Sequence, residues 1–169
     1  MNEGASGGRS DPYSYLFFLV GLNTGMRHRE ILEMRWENIG WDKKRLFVFS
    51  AKAGPRYQPL PEVVICSLKE LQSKVNMTGG FVFSADTKTG HRDYMKKQFA
   101  RVVQAAGLKK GRFTPHAMRH TLITRLIEQG VPIETVRKIS GHKSFAMVLR
   151  YTHVADALVD EAVESVQIG

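Results

Sequence analysis

The sequence predicts an α+β domain that is mainly helical, a bundle of helices carrying one small antiparallel β-sheet. Three observations carry this expectation. Stretches of helical composition begin at Pro12, Pro61 and Pro115 and stop at Gly25, Gly107, Gly130 and Gly141, the proline-first, glycine-last asymmetry of helices. One segment, RLFVFS, has strand composition and runs into Gly-Pro turn chemistry. Hydrophobic residues make up 43% and charged residues 24% of 169, a length and balance that bury one core.

Taken in order, residues 1–10 (MNEGASGGRS) lack a hydrophobic signal region and read as a flexible lead-in or linker. Ser10 or Asp11 caps a first helix through YSYLFFLVGLN, broken at Gly25. A second helix is expected in RHREILEMRWENI, with Ile31, Leu32, Met34 and Trp36 available to the core. RLFVFS (Arg45 to Ser50) and YQPLP form a strand pair around the turn AKAGPR. Pro61 opens the helix EVVICSLKELQSKV, and GGFVFS is a short apolar segment. RDYMKKQFARVVQAAG is read as a helix with Tyr94, Phe99, Val102 and Val103 near one face. Thr114 caps the helix of FTPHAMRHTLITRLIEQG, and VPIETVRKISG makes a shorter one. Phe145, Met147, Val148 and Leu149 suit a short buried helix ending at Tyr151, and VADALVDEAVESV a C-terminal helix. There is no internal repeat.

Charge narrows the partners. Lys and Arg number 25 against 16 Asp and Glu, a formal net charge of +9, which favours a polyanion, nucleic acid being the commonest. Local clusters, WDKKR and GLKKGR, point the same way. The single cysteine, Cys66, rules out an intramolecular disulfide and suits a reducing compartment. No apolar run approaches the roughly 20 residues of a membrane span. A cytoplasmic protein is expected.

Several residues have chemical potential. His116 and Arg119, three apart, share a face in the first turns of their helix, where backbone N–H groups and the helix dipole favour an anion. Arg27 follows the break at Gly25, with Glu30 placed to hold its guanidinium. Guanidinium forks suit the two non-bridging oxygens of a phosphodiester and cannot lose their proton. Fixed cations there stabilise charge that grows in the transition state. A plainer reading also stands: Arg27 paired with Glu30 on a solvated helix, Lys52 merely solubilising, Tyr151 a core residue. His116 and His120 have metal-ligand spacing, but HAMRH lacks the glutamate of a zincin and no acidic or cysteine cluster adds ligands. No metal and no cofactor is assigned.

The order of these elements is informative. TGMR with Glu30 following, a lysine in a β-turn, HAMRH, GH and YTH resemble the catalytic domain of the tyrosine recombinases, the phage integrase family, over nearly the whole chain from about Asp11. The family pattern (Arg, Lys, His-x-x-Arg, His or Trp, Tyr) falls on Arg27, Lys52, His116 with Arg119, His142 and Tyr151. Ala117, Met118, Ser140 and Asn38 depart from common family residues without removing a catalytic group. Lys52 is preferred to Lys43 and Lys44 because it stands in the turn before a Pro-Leu return strand.

The resemblance implies that Tyr151 attacks a DNA phosphodiester and becomes a 3′-phosphotyrosine. Arg27 and Arg119 would clamp the non-bridging oxygens, and His142 would add a hydrogen bond to the phosphate. His116 would help the phenol lose its proton, and Lys52 would protonate the departing 5′-oxygen. It further implies double-stranded DNA as partner, a homotetramer on paired sites in the full-length form, and a bacterial or phage origin. Residues 11–169 would be the catalytic domain, with the family's N-terminal DNA-clamping domain absent. The alternatives are a type IB topoisomerase-like relaxation activity and a non-catalytic DNA-binding module.

Overall fold

The computed structural model describes residues 11–52, 54–109 and 113–151. Helix α1 (Pro12–Thr24) begins where expected, with Asp11 as its cap, the carboxylate accepting from the Tyr13 N–H at 3.3 Å. It ends at Gly25, whose φ of 62° lies in the left-handed region that glycine enters without strain. Helix α2 (His28–Leu32) follows at once.

Here the structure corrects the sequence reading, because the helix expected to run through Ile39 stops after five residues. The backbone of Met34 to Trp36 instead pairs with the GGFVFS segment. Trp36 N–H donates to Gly80 O at 3.0 Å and Val82 N–H to Met34 O at 2.8 Å. A single 3₁₀ turn at Trp36–Asn38 completes the segment. Ile31, Leu32, Met34 and Trp36 are nonetheless all buried.

The sheet has three strands, one more than expected: β1 (Ile39–Gly40), β2 (Arg45–Val48) and β3 (Arg56–Pro59), in that order and antiparallel. The two-residue β1 is too short to show a period of two. Val48 pairs with Arg56 and Leu46 with Gln58, so these four side chains share the inner face. Helix α3 (Glu62–Val75) fits the prediction and buries Val64, Ile65, Leu68 and Leu71 at helical spacing. Helix α4 (Lys96–Ala105) starts later than read from the sequence, which leaves Tyr94 and Val102 exposed and makes Met95, Phe99 and Val103 the buried stripe.

Helix α5 (Pro115–Glu128) joins two cores. Met118 belongs to the larger, formed with α1, α2, the sheet, α3 and α4. Ile123 and Ile127 belong to the smaller, with Val136, Val148 and Tyr151. Thr114 stands at the cap position of α5, but no cap bond from its side chain is present among the described residues. Helices α6 (Ile133–Ser140) and α7 (Phe145–Leu149) pack on the far half of α5. In α7 only Val148 is buried; Phe145, Met147 and Leu149 are exposed, and the Phe145 ring carries the Arg137 guanidinium at 5.2 Å. The C-terminal helix expected in VADALVDEAVESV lies outside the described residues.

One packing detail positions everything that follows. A Cβ on Gly21 would sit 2.6 Å from Met118 Cε, and one on Gly25 3.0 Å from Leu122 Cδ2. Two glycines four residues apart therefore give α1 a bare stripe against which α5 lies close.

Candidate active site

That close approach brings the end of α1 against α5. Arg119 is buried, 1% exposed, and its Nη1 donates to Gly25 O at 2.8 Å across 94 residues of sequence. Two residues beyond Gly25, Arg27 takes an extended backbone at the start of α2. Glu30 accepts from its N–H at 3.1 Å and from its Nη1 at 3.0 Å. The third contribution comes from the α6–α7 turn and the end of α7, where Gly141 (φ 64°) reverses the chain and His142 follows.

These segments enclose a cavity of about 490 Å³ lined by Arg27, His116, Arg119, His120, His142 and Tyr151, with Thr124, Met147 and Arg150. Arg27, the His116–Arg119 pair, and His142 with Tyr151, three separate stretches of the chain, thus meet in one place. Glu30 stands behind Arg27. Lys52 is exposed in the β2–β3 turn and does not line the cavity. Sequence spacing assigns no phosphate role to His120, although it lies four residues from His116. Their rings meet edge to face at 4.6 Å, and His120 lies 5.1 Å from the Tyr151 ring. Nor does it assign Arg150, which adjoins Tyr151, or Arg56, whose place behind Glu30 follows only from strand pairing. Among the described residues no three His, Cys, Asp or Glu side chains group as a metal site.

The electrostatics are those of crowded cations. Burial, then Arg27, lowers Arg119 to about 10. Burial and the charges of Arg119 and Arg27 push His142 down to about 4. His116 is lowered by burial, by His120 and by the same arginines. Burial raises Tyr151, while Arg119 and Arg150 pull it back part of the way. Among the described residues, Nε and Nη2 of Arg119 have no acceptor. A buried guanidinium with two unspent donors is costly.

His142 has a defined tautomer. Ser140 Oγ lies 2.7 Å from Val136 O, which can only accept, so the one hydroxyl proton goes there. Oγ then accepts from His142 Nδ1–H at 2.8 Å, and the neutral ring presents a bare Nε2. In this state Nε2 can accept a hydrogen bond, and it could donate one only after the ring gains a proton.

Guanidinium groups, imidazoles and a buried phenol thus line one cavity, set on a mostly helical domain. The chain belongs to the phage integrase family, whose profile matches residues 3–157. It is 28% identical to a tyrosine recombinase XerC-like protein of Caldanaerobacter subterraneus subsp. tengcongensis, over 88% of this chain and 47% of that one. It is also 28% identical to tyrosine recombinase XerA of Pyrococcus furiosus, over 88% and 53%. A tyrosine recombinase of Thermosipho africanus is 33% identical over 83% and 49%. The chain thus spans about half the length of these curated relatives. The crystal structure of XerA recombinase superposes with a TM-score of 0.73 at 25% identity, covering 92% of this chain and 57% of that one. A XerH site-specific recombinase bound to palindromic difH substrate, a post-cleavage complex, superposes with a TM-score of 0.76 at 21% identity, over 96% and 47%. At that identity the likeness concerns the fold. No helix among the described residues is long and apolar enough to cross a membrane.

Proposed function

We propose that residues 11–169 are the catalytic domain of a site-specific DNA recombinase that acts in the cytoplasm and, as part of a full-length protein, as a homotetramer on paired double-stranded DNA sites. The single observation that carries this reading is the convergence of Arg27, Arg119, His116, His142 and Tyr151 on one cavity.

In this reading the scissile phosphodiester enters the cavity with its non-bridging oxygens against the forks of Arg27 and Arg119. Tyr151 Oη attacks phosphorus and gives up its proton to the histidine cluster, His116 foremost. The P–O5′ bond breaks, leaving a 3′-phosphotyrosine, and the 5′-oxygen leaves with a proton from Lys52. A free phenol has a pKa near 10 and is a weak nucleophile at neutral pH, so it needs both a base and neighbouring cations. Lys52 meets the leaving oxygen when DNA lies across both the cavity and the β2–β3 turn. One phosphoester bond is exchanged for another, so a 5′-hydroxyl from a partner duplex reverses the step without ATP.

The test is a pool of nicked duplexes with randomised centres, in which cleavage releases a short strand and traps the adduct. Wild-type protein should yield a covalent protein–DNA species on a denaturing gel, and Tyr151→Phe none. Equal yields from the two, or none from wild type, would reject the reading.

A further inference from the structure

Behind the cavity lies a second layer of polar side chains built around Arg56, the first residue of β3. Its guanidinium forks onto Glu30, Nη2 to Oε2 at 2.9 Å and Nη1 to Oε1 at 3.3 Å. The same carboxylate holds Arg27, so one buried anion serves two arginines. Arg56 Nη2 also donates to Gln58 Oε1 at 3.2 Å, and Gln58 Nε2 donates to Thr24 O at 3.3 Å, at the end of α1. On its other side the guanidinium lies against Gly141, where a Cβ would fall 2.8 Å from Arg56 Cζ. Gly141 immediately precedes His142.

The charges around Glu30 explain why a second arginine is needed. Glu30 is 3% exposed, so its negative charge is little screened by water and must be balanced by its neighbours. If Arg27 were its sole partner, the positive charge of Arg27 would be spent inside that pair. With Arg56 present the trio carries one net positive charge. The arginine that lines the cavity is Arg27, 24% exposed, while Arg56, 14% exposed, stays behind the carboxylate.

We propose that Arg56 is a positioning residue for the reaction: it neutralises Glu30 so that the charge of Arg27 is directed at the phosphate, and it braces the turn that carries His142. The proposal rests on reading the cavity as a phosphodiester site.

The experiment pairs Arg56→Ala with Glu30→Gln in the full chain and measures adduct formation at saturating DNA. Arg56→Ala leaves an unbalanced carboxylate against Arg27, and the rate should fall about tenfold or more, the equivalent of one pKa unit of field at the phosphate. Overall DNA affinity should hardly move, because many phosphates share the contact. Removing the carboxylate charge as well, in Arg56→Ala/Glu30→Gln, should recover much of the lost rate. A role confined to packing gives the opposite result, since the second lesion then slows the enzyme further. Where Arg56→Ala fails to fold, Arg56→Gln keeps polar reach without charge and should show the same rescue.

A single variant at the wild-type rate, or a double variant no faster than the single, overturns the proposal. If wild type forms no adduct, the functional reading fails, and ¹³C titration of the Glu30 carboxyl decides for Arg56. Its pKa should rise in Arg56→Ala; an unchanged value overturns the proposal.

Discussion

His142 stands at the centre of the residue-scale chemistry, because burial and two arginines hold its imidazole neutral while Ser140 holds its orientation. The consequence for stability has a definite sign. The folded ring titrates at about 4 against an ordinary 6.5, so between those values the unfolded chain binds more protons. Stability is therefore lost as pH falls from 6.5 toward 4, and His116, also lowered, adds to the loss. Thermal unfolding across that window should show a falling Tm, with a smaller fall in His142→Gln; identical slopes would contradict the assignment. Glu30 behaves in the same sense by a different route. Burial pushes its carboxyl up, but Arg56 and Arg27 outweigh that and hold it below the usual range, so its contribution too is lost at low pH. The comparison with His142→Gln isolates the imidazole from this carboxylate background.

At the scale of elements, the contact between α1 and α5 sets the distance between Arg27 and Arg119. Gly21 lies mid-helix, where glycine is intrinsically unfavourable by about 0.5–1 kcal/mol relative to Ala. It makes room for Met118, whose Sδ would lie 2.7 Å from an added Cβ. Gly21→Ala meets only the flexible end of that side chain and should be tolerated. Gly21→Val should cost about 1–3 kcal/mol by overpacking and weaken the Arg119–Gly25 contact. Equal Tm values for Gly21→Val and wild type would show that the helices approach independently of this glycine. The same element explains what the sequence makes legible and what it hides. Proline and glycine punctuation placed α1, α3, α5 and α6 within a residue or two, because capping is local chemistry. The break of α2 was hidden, because the partners of Met34 and Trp36 lie in residues 80–82, far along the chain. In α4 the buried positions Phe99 and Val103 are legible from the sequence, whereas Tyr94 looks like a core residue of a helix that begins only at Lys96.

For the molecule as a whole, a net charge of +9 favours long-range attraction to a polyanion, the proposed DNA included. Affinity should fall linearly in log Kd against log salt, with a slope set by the number of phosphates neutralised. Tyr151→Phe removes no charge at neutral pH, so its slope should match that of wild type. A shallower slope for this variant in filter-binding titrations would mean that the tyrosine takes part in holding DNA, beyond the nucleophilic role proposed for it.

The chain's own order of residues determined the helical class, the hairpin, the basic character and the anion-binding potential of Arg27, His116 and Arg119, since capping, strand alternation and side-chain chemistry act over a few neighbours. His142 and Tyr151 joined that set through the resemblance of the ordered motifs to the tyrosine recombinases. Tertiary packing alone decided that these five share a cavity, that His120 and Arg150 join them, and that Arg56 stands behind Glu30. Those relations depend on a glycine stripe between helices and on strand register, which bring together stretches of chain that lie far apart in sequence.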